Sequence, residues 1–300
     1  MKLPSHVANL EPETCYLPLT QGRAKALSFG QGPVALCLHG FPDNCLTFRF
    51  QVEPLVRAGY RVVLPVMRGY EPSSVQGSGA YYMADLAEDT LRWIDSLGED
   101  KVHLVGHDWG GVVAWTVAGL APERLHTVTS IAIPYLKNLA TGVMSYPNQL
   151  ALSWYMSFFQ LRGLSDWALS QADGWFIRML WRRWSPDYDA PDEILDSVLQ
   201  TFQQPGVKQA ALGYYRCAFK LLTARGRASS APLRRSVRVP ALLVTGANDG
   251  CMDTRLFEAT VSHDDFPAGV AIERVSGAGH FVQLEKPEVV TPLLLDHFRH

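Results

Sequence analysis

Between Val102 and Trp115 the chain reads VHLVGHDWGGVVAW, a short apolar run, a glycine-bounded turn and then a helical pattern. Asp108 stands at the apex, between His107 and Trp109 and inside Gly106 and the pair Gly110–Gly111. A strand–turn–helix apex of this kind holds a side chain out at the carboxyl end of a sheet, where nucleophiles are presented. The position also suits an aspartate that caps the helix starting at Trp109. What separates the two readings is the rest of the chain. A nucleophile on such a turn calls for an acid after a later strand and then a histidine, in that order. Asp249 ends the run ALLVTGANDG, and His280 lies in SGAGHFVQLEKPE, just beyond the last apolar run. Taken singly, Asp249 is a turn aspartate and His280 a polar residue at a strand end. Taken together, in order and at strand exits, they favour Asp108 as nucleophile, Asp249 as acid and His280 as base. The stretch HGFPD, His39 to Asp43, follows another apolar run. A loop there supplies one oxyanion-hole N–H and the residue after the nucleophile the other, so the candidate donors are Phe41 and Trp109. His39 and His107 have no partner at a spacing such as HxxxH, so no metal is expected.

These residues need strands to carry them. Apolar runs occur at 33–40, which ends in glycine, and again at 60–66, 101–106, 126–133, 240–246 and 270–277, and read as buried parallel strands. Helical patterns alternate with them. In MADLAEDTLRWIDSLG, Met83, Leu86, Trp93, Ile94 and Leu97 share a face and Gly98 is the stop. The expectation is an α/β fold with a mostly parallel sheet flanked by helices. Between about Tyr135 and Arg235 the alternation breaks into Trp-, Tyr-, Phe- and Met-rich helical stretches, with the connection RWSPDYDAPDE inside. This gives a core from 1–134 and 236–300 with an inserted helical cap at 135–235. The 300 residues are 47% hydrophobic and 19% charged with a net charge of −2, so the chain is core-forming and carries no basic footprint for nucleic acid. It shows no secretion signal and no run long enough to span a bilayer, and its five cysteines lack CxxC spacing. These features point to a reducing cytoplasm without disulfides or a zinc site. No cofactor is implied, and a homo-oligomer is left open.

With HGFP, MRGY (Met67 to Tyr70) and GHDWGG on the chain, the core over most of 33–134 and 239–300 resembles the α/β-hydrolase fold. Together these motifs are similar to the epoxide hydrolases of that fold, with the haloalkane dehalogenases as close relatives. In LPVMRGYEPSS, Val66 stands where relatives often carry an acidic residue, a departure remote from the chemistry.

An aspartate nucleophile suits a saturated carbon rather than an acyl carbon. Aspartate ordinarily titrates at about 3.9, so it attacks as a carboxylate without a base and forms an alkyl-enzyme ester. The base is needed second: His280, oriented by Asp249, activates the water that hydrolyses the ester, while Phe41 and Trp109 hold the oxyanion. The leaving group decides between the families. The segments SWYMSFFQ and ALGYYRCAF resemble those from which epoxide hydrolases project two cap tyrosines, which implies Tyr155 and Tyr215 as donors to the epoxide oxygen. Tyr214 is the neighbouring alternative, and the YR pattern favours Tyr215. Aromatics on amphipathic helices are also ordinary core. The expected substrate is a small apolar epoxide, with water, in a pocket lined by Trp154, Phe158, Phe159, Phe41 and Trp109. The same Asp–His–Asp set serves a haloalkane dehalogenase, with Trp109 and Trp154 as halide donors. Against that, Phe41 replaces the amide side chain that many dehalogenases use, and Trp109 and Val112 replace the arginines of fluoroacetate dehalogenases. A non-catalytic binding protein of the fold would typically lose part of this set.

Overall fold

The computed structural model describes residues 10–77, 79–171 and 173–300. Residues 1–9, part of the segment read for a secretion signal, lie outside the described residues. The strands are β1 (Glu13–Pro18), β2 (Arg23–Phe29), β3 (Val34–Leu38), β4 (Arg61–Pro65), β5 (Val102–His107), β6 (Leu125–Ile131), β7 (Ala241–Gly246) and β8 (Val270–Val275). They form one sheet in the order β1-β2-β4-β3-β5-β6-β7-β8. From β4 to β8 every pairing is parallel, whereas β1 and β2 pair antiparallel with each other and β2 pairs antiparallel with β4.

The six apolar runs are the six parallel strands. β3, β5 and β7 are buried at every position, as strands covered by helices on both faces must be. The antiparallel pair β1–β2 had no such run: ETCYLP, at the sheet edge, is mostly exposed, and RAKALSF, though buried from Ala26 to Phe29, mixes Arg, Lys and Ser with its apolar residues. The core helices are α1 (Arg49–Arg57), α2 (Met83–Ser96) and α3 (Trp109–Leu120). On α2, Met83, Leu86, Trp93 and Ile94 are buried and Leu97 is half-buried, and Gly98 ends the helix at φ +77°. Helix α3 starts directly after β5 and is buried almost all round. It lies so close to the sheet that a Cβ on Gly110 would strike the Leu38 carbonyl, and one on Gly106 the Gly110 carbonyl.

Between β6 and β7 come eight helices and, among the described residues, no strand: α4 (Leu139–Ser145), α5 (Asn148–Leu152), α6 (Trp154–Phe158), α7 (Leu164–Ser170), α8 (Trp175–Trp184), α9 (Asp192–Phe202), α10 (Val207–Ala218) and α11 (Ala224–Ser230). Helices α12 (Leu256–Ala259), α13 (Val282–Glu285) and α14 (Pro287–His297) complete the chain. The inserted helices are pinned to the loops at the carboxyl ends of the strands. Trp181 Nε1 donates to the Pro42 carbonyl at 2.8 Å, and Asn44 Nδ2 donates to Ser197 Oγ at 3.0 Å. The Trp184 carbonyl accepts from the N–H groups of both Gly250 and His280 at 3.0 Å. No helix among the described residues is long and apolar enough to cross a membrane.

Candidate active site

Asp108 sits between β5 and α3 at φ +49°, ψ −117°, a conformation that costs a non-glycine residue energy and turns its side chain away from the helix it precedes. Its side chain makes no capping bond to α3. Oδ1 instead accepts the backbone N–H of Phe41 at 2.7 Å. Oδ2 lies 3.6 Å from His280 Nε2, beyond hydrogen-bond reach, so Nε2 is buried and uncommitted. On the other side of the ring, Nδ1 donates to Asp249 Oδ2 at 3.0 Å. Asp249 is itself fixed by the N–H groups of Cys251 and Met252, which reach its Oδ1 at 2.7 and 2.9 Å. All three side chains are buried: Asp108 is 4% exposed, Asp249 8% and His280 0%.

Burial works against charge on His280, but the Asp249 carboxylate and Asp108 outweigh it and raise its pKa well above the usual value. The other two histidines here are held neutral. His39 accepts from the Met67 N–H through Nε2 and so donates through Nδ1 to Gly40, and burial pushes its pKa down to about 4. His107 Nε2 donates to the His280 carbonyl at 3.0 Å, and burial pushes its pKa down to about 3. Both brace the loops around Asp108. Asp249, Cys251 and His280 each bring one potential metal-ligand atom within 4.8 Å of the others, but Oδ2 and Nδ1 are already spent on each other.

Above the carboxylate the inserted helices supply aromatics. The rings of Tyr155 on α6 and Tyr215 on α10 lie 5.7 Å apart, edge to face. Tyr215 packs against Phe41 at 5.2 Å, Trp109 at 5.1 Å and Phe159 at 4.8 Å. Its hydroxyl is buried without a partner, while that of Tyr155 lies 3.3 Å from Cys251 Sγ. Burial, and then the negative charge of Asp108 among other neighbours, raise both phenols well above 10, so they remain protonated donors. Tyr214 points the other way: its hydroxyl donates to the Arg68 carbonyl at 2.6 Å.

The structure brings Phe41, Trp109, Phe159, Tyr155 and Tyr215 into one cluster over Asp108. It does not bring Trp154 and Phe158 into the same layer. Trp154 packs on Tyr155, Phe158 and Phe176, and Phe158 stacks on Phe176 at 5.3 Å, so both back the wall they were expected to form. The wall position goes instead to Trp184, whose ring lies 4.9 Å from Tyr155, 5.0 Å from His280 and 6.4 Å from Phe41. Within WFIRMLWRRW, Trp184 carries the signal of a buried helix face and nothing that marks it for His280. Cys251 gave no signal either, being one apolar residue after a turn.

A family model described as the alpha/beta hydrolase fold matches residues 33–287. The chain is 31% identical over 284 residues to AB hydrolase superfamily protein YfhM of Bacillus subtilis, across 90% of this chain and 91% of that protein. It is 30% identical over 269 residues to Epoxide hydrolase 4 of Homo sapiens, across 87% of this chain and 71% of that one. Among solved structures, Epoxide Hydrolase A from Mycobacterium thermoresistibile superposes with a TM-score of 0.81 at 26% identity, covering 96% of this chain and 98% of that one. With its elbow, sheet order and inserted helices, this chain belongs to the α/β-hydrolase fold family.

Proposed function

We propose that this protein is an epoxide hydrolase working through an alkyl-enzyme ester on Asp108. Oδ1, tied to the Phe41 N–H, becomes the ester carbonyl oxygen, and Oδ2 attacks the epoxide carbon. As the carbon–oxygen bond breaks, the electron pair stays on the epoxide oxygen, which takes its proton or hydrogen bonds from Tyr155 and Tyr215. His280 then removes a proton from water, which attacks the carbonyl carbon and releases a vicinal diol. The N–H groups of Phe41 and Trp109 receive the oxyanion. The core at 1–134 and 236–300 carries the acid, base and nucleophile, and the cap at 135–235 carries the leaving-group donors. The substrate is a small apolar epoxide, matched to the apolar surface of these aromatic rings.

The observation that carries this reading is the pair of buried phenols close enough to Asp108 for its charge to act on both, one with no hydrogen-bond partner among the described residues. An alkoxide leaving group needs such donors. Haloalkane dehalogenation is the second reading, since Trp109 supplies an indole near Asp108. It is weakened by Trp154, its other indole donor, whose ring packs on Tyr155, Phe158 and Phe176 rather than on Phe41, Trp109 or Tyr215. A small panel of epoxides assayed for diol, with haloalkanes assayed for halide alongside, tests the choice. Halide release without diol formation would reverse it. Tyr155→Phe combined with Tyr215→Phe is expected to abolish nearly all ring opening, and a double variant at wild-type rate would remove both tyrosines from this role.

A further inference from the structure

The two phenols are not equivalent. Tyr215 has no partner, whereas the Tyr155 hydroxyl oxygen lies 3.3 Å from the Cys251 sulfur, with both residues buried. Cys251 is immobilised through its backbone. Its N–H donates to Asp249 Oδ1 at 2.7 Å, its carbonyl accepts from Gln149 Nε2 at 3.1 Å, and the N–H of Gly250 before it is held by the Trp184 carbonyl. One residue thus fixes the acid through its main chain and touches a cap phenol through its side chain. A phenol has one proton to give, and if it went to sulfur it would be lost to the substrate.

We propose that Cys251 is a positioning residue for ring opening: its S–H donates to the Tyr155 hydroxyl oxygen, which leaves the phenolic proton aimed at the epoxide oxygen and makes Tyr155 the proton donor of the pair. This rests on the epoxide hydrolase reading. The thiol is suited to donate: burial outweighs the opposing influence of His280, its other close polar neighbour, and with Asp249 and Asp108 it favours the protonated form. In the step, Asp108 Oδ2 bonds to carbon, the carbon–oxygen bond breaks onto oxygen, and that oxygen takes the Tyr155 proton. The phenolate left behind keeps the Cys251 S–H as its hydrogen-bond donor. It regains a proton when His280, having taken one from the attacking water, gives it up. The sum is one epoxide plus one water going to one diol. Tyr215 holds the same oxygen by a hydrogen bond and keeps its proton.

The test measures the single-turnover rate of ester formation, KM and melting temperature for Cys251→Ala and Cys251→Ser, each with Tyr155 and with Tyr155→Phe. Removing one hydrogen bond is expected to slow ester formation about 3- to 10-fold in Cys251→Ala with KM little changed, and Cys251→Ser is expected to recover most of the rate. In the Tyr155→Phe background, Cys251→Ala should cause no further loss, because coupled groups are non-additive. An equal loss in both backgrounds, or no loss in either, overturns the assignment. The bond is also read without turnover. Tyr155→Phe should shift the infrared S–H stretch of the thiol that disappears in Cys251→Ala, and an unshifted band overturns the proposal even where a variant is poorly active. A wild-type protein that opens no epoxide would sink the functional reading instead, while the S–H band still reports on the thiol.

Discussion

The backbone N–H of Phe41 holds Asp108 Oδ1 at 2.7 Å, while Oδ2 lies toward His280, so the two oxygens of one carboxylate have different surroundings. Under the proposed chemistry they also have different fates. Oδ2 leaves in the diol and is replaced by the oxygen of water. In a single turnover in heavy-oxygen water, the diol should therefore emerge unlabelled and the label should appear in the peptide containing Asp108. Label in the first-turnover diol would mean that water attacks the epoxide directly, with no ester.

Gly40 is what lets that hydrogen bond form. A Cβ there would fall against the Cβ and Oδ1 of Asp108 and close to the His107 carbonyl. Gly40→Ala must push the HGFP loop away from the nucleophile. Overpacking of this kind costs about 1–3 kcal/mol. The expectation is a lower melting temperature and a loss of activity larger than the unfolded fraction explains, measured by calorimetry beside diol formation. A variant that keeps full activity would show that the Phe41 N–H is dispensable.

Tyr214 and Tyr215 are neighbours on α10 with opposite duties. Tyr214 donates to the Arg68 carbonyl, next to the buried pair of Arg68 with Asp89. Tyr214→Phe should cost about 0.5–1.5 kcal/mol of stability by removing that bond, with little change in turnover. Tyr215→Phe removes a hydroxyl with no partner among the described residues, so stability should hold or rise while ring opening slows by at least about tenfold. Urea unfolding and diol assays on both variants check the exchange. If Tyr214→Phe is the inactive variant, the donor has been assigned to the wrong neighbour.

Much of this architecture is legible in the residues. The inner parallel strands β3, β5 and β7 announce themselves because they are buried at every position and must be apolar on both faces, and the edge strand β8 follows from the repeat of the pattern although Glu273 and Arg274 on it are exposed. β1, mostly exposed at the sheet edge, does not, and neither does β2, whose Arg23, Lys25 and Ser28 interrupt its apolar residues. Asp108, Asp249 and His280 are legible because each follows a strand and their order along the chain is constrained. The aromatic cluster is harder. Phe159 stands four residues after Tyr155 and shares its face, whereas Trp154, one residue before, is turned by roughly 100° along the helix. Trp184 and Cys251 arrive from distant segments, and their nearness to Tyr155 and His280 depends on how the cap docks. No local pattern encodes that.

The two steps of the proposed cycle use different groups, so they can be separated. Ester formation needs Asp108 and the phenols, and its hydrolysis needs His280. His280→Gln should therefore form the ester and stall, adding the mass of one epoxide to the intact protein and to the peptide carrying Asp108. Without a working base, hydrolysis should slow by about 10²- to 10⁴-fold. Absence of the adduct in a folded His280→Gln protein would argue against a covalent route.

The pH profile follows from the neighbours of His280. Burial opposes its charge, but Asp249 and Asp108 raise its pKa well above the usual value in the free protein. Once Asp108 becomes an ester its charge is gone, one raising influence disappears, and the imidazole gives up its proton more readily at the moment a base is needed. The working form is neutral. Hydrolysis is therefore fast above the intermediate's His280 pKa and falls about tenfold per pH unit below it. The turnover rate should climb with pH along one acidic limb and then level off, with ester accumulating at the acid end. Tyr155 and Tyr215 are both raised well above 10, so their ionisation should impose no alkaline loss through neutrality. Asp249→Asn removes a carboxylate that holds the proton on His280, so it should move the acidic limb to lower pH while lowering the plateau. Turnover against pH, with intact-protein mass after acid quench, checks both parts. A limb that stays in place in Asp249→Asn would assign the titration to another group.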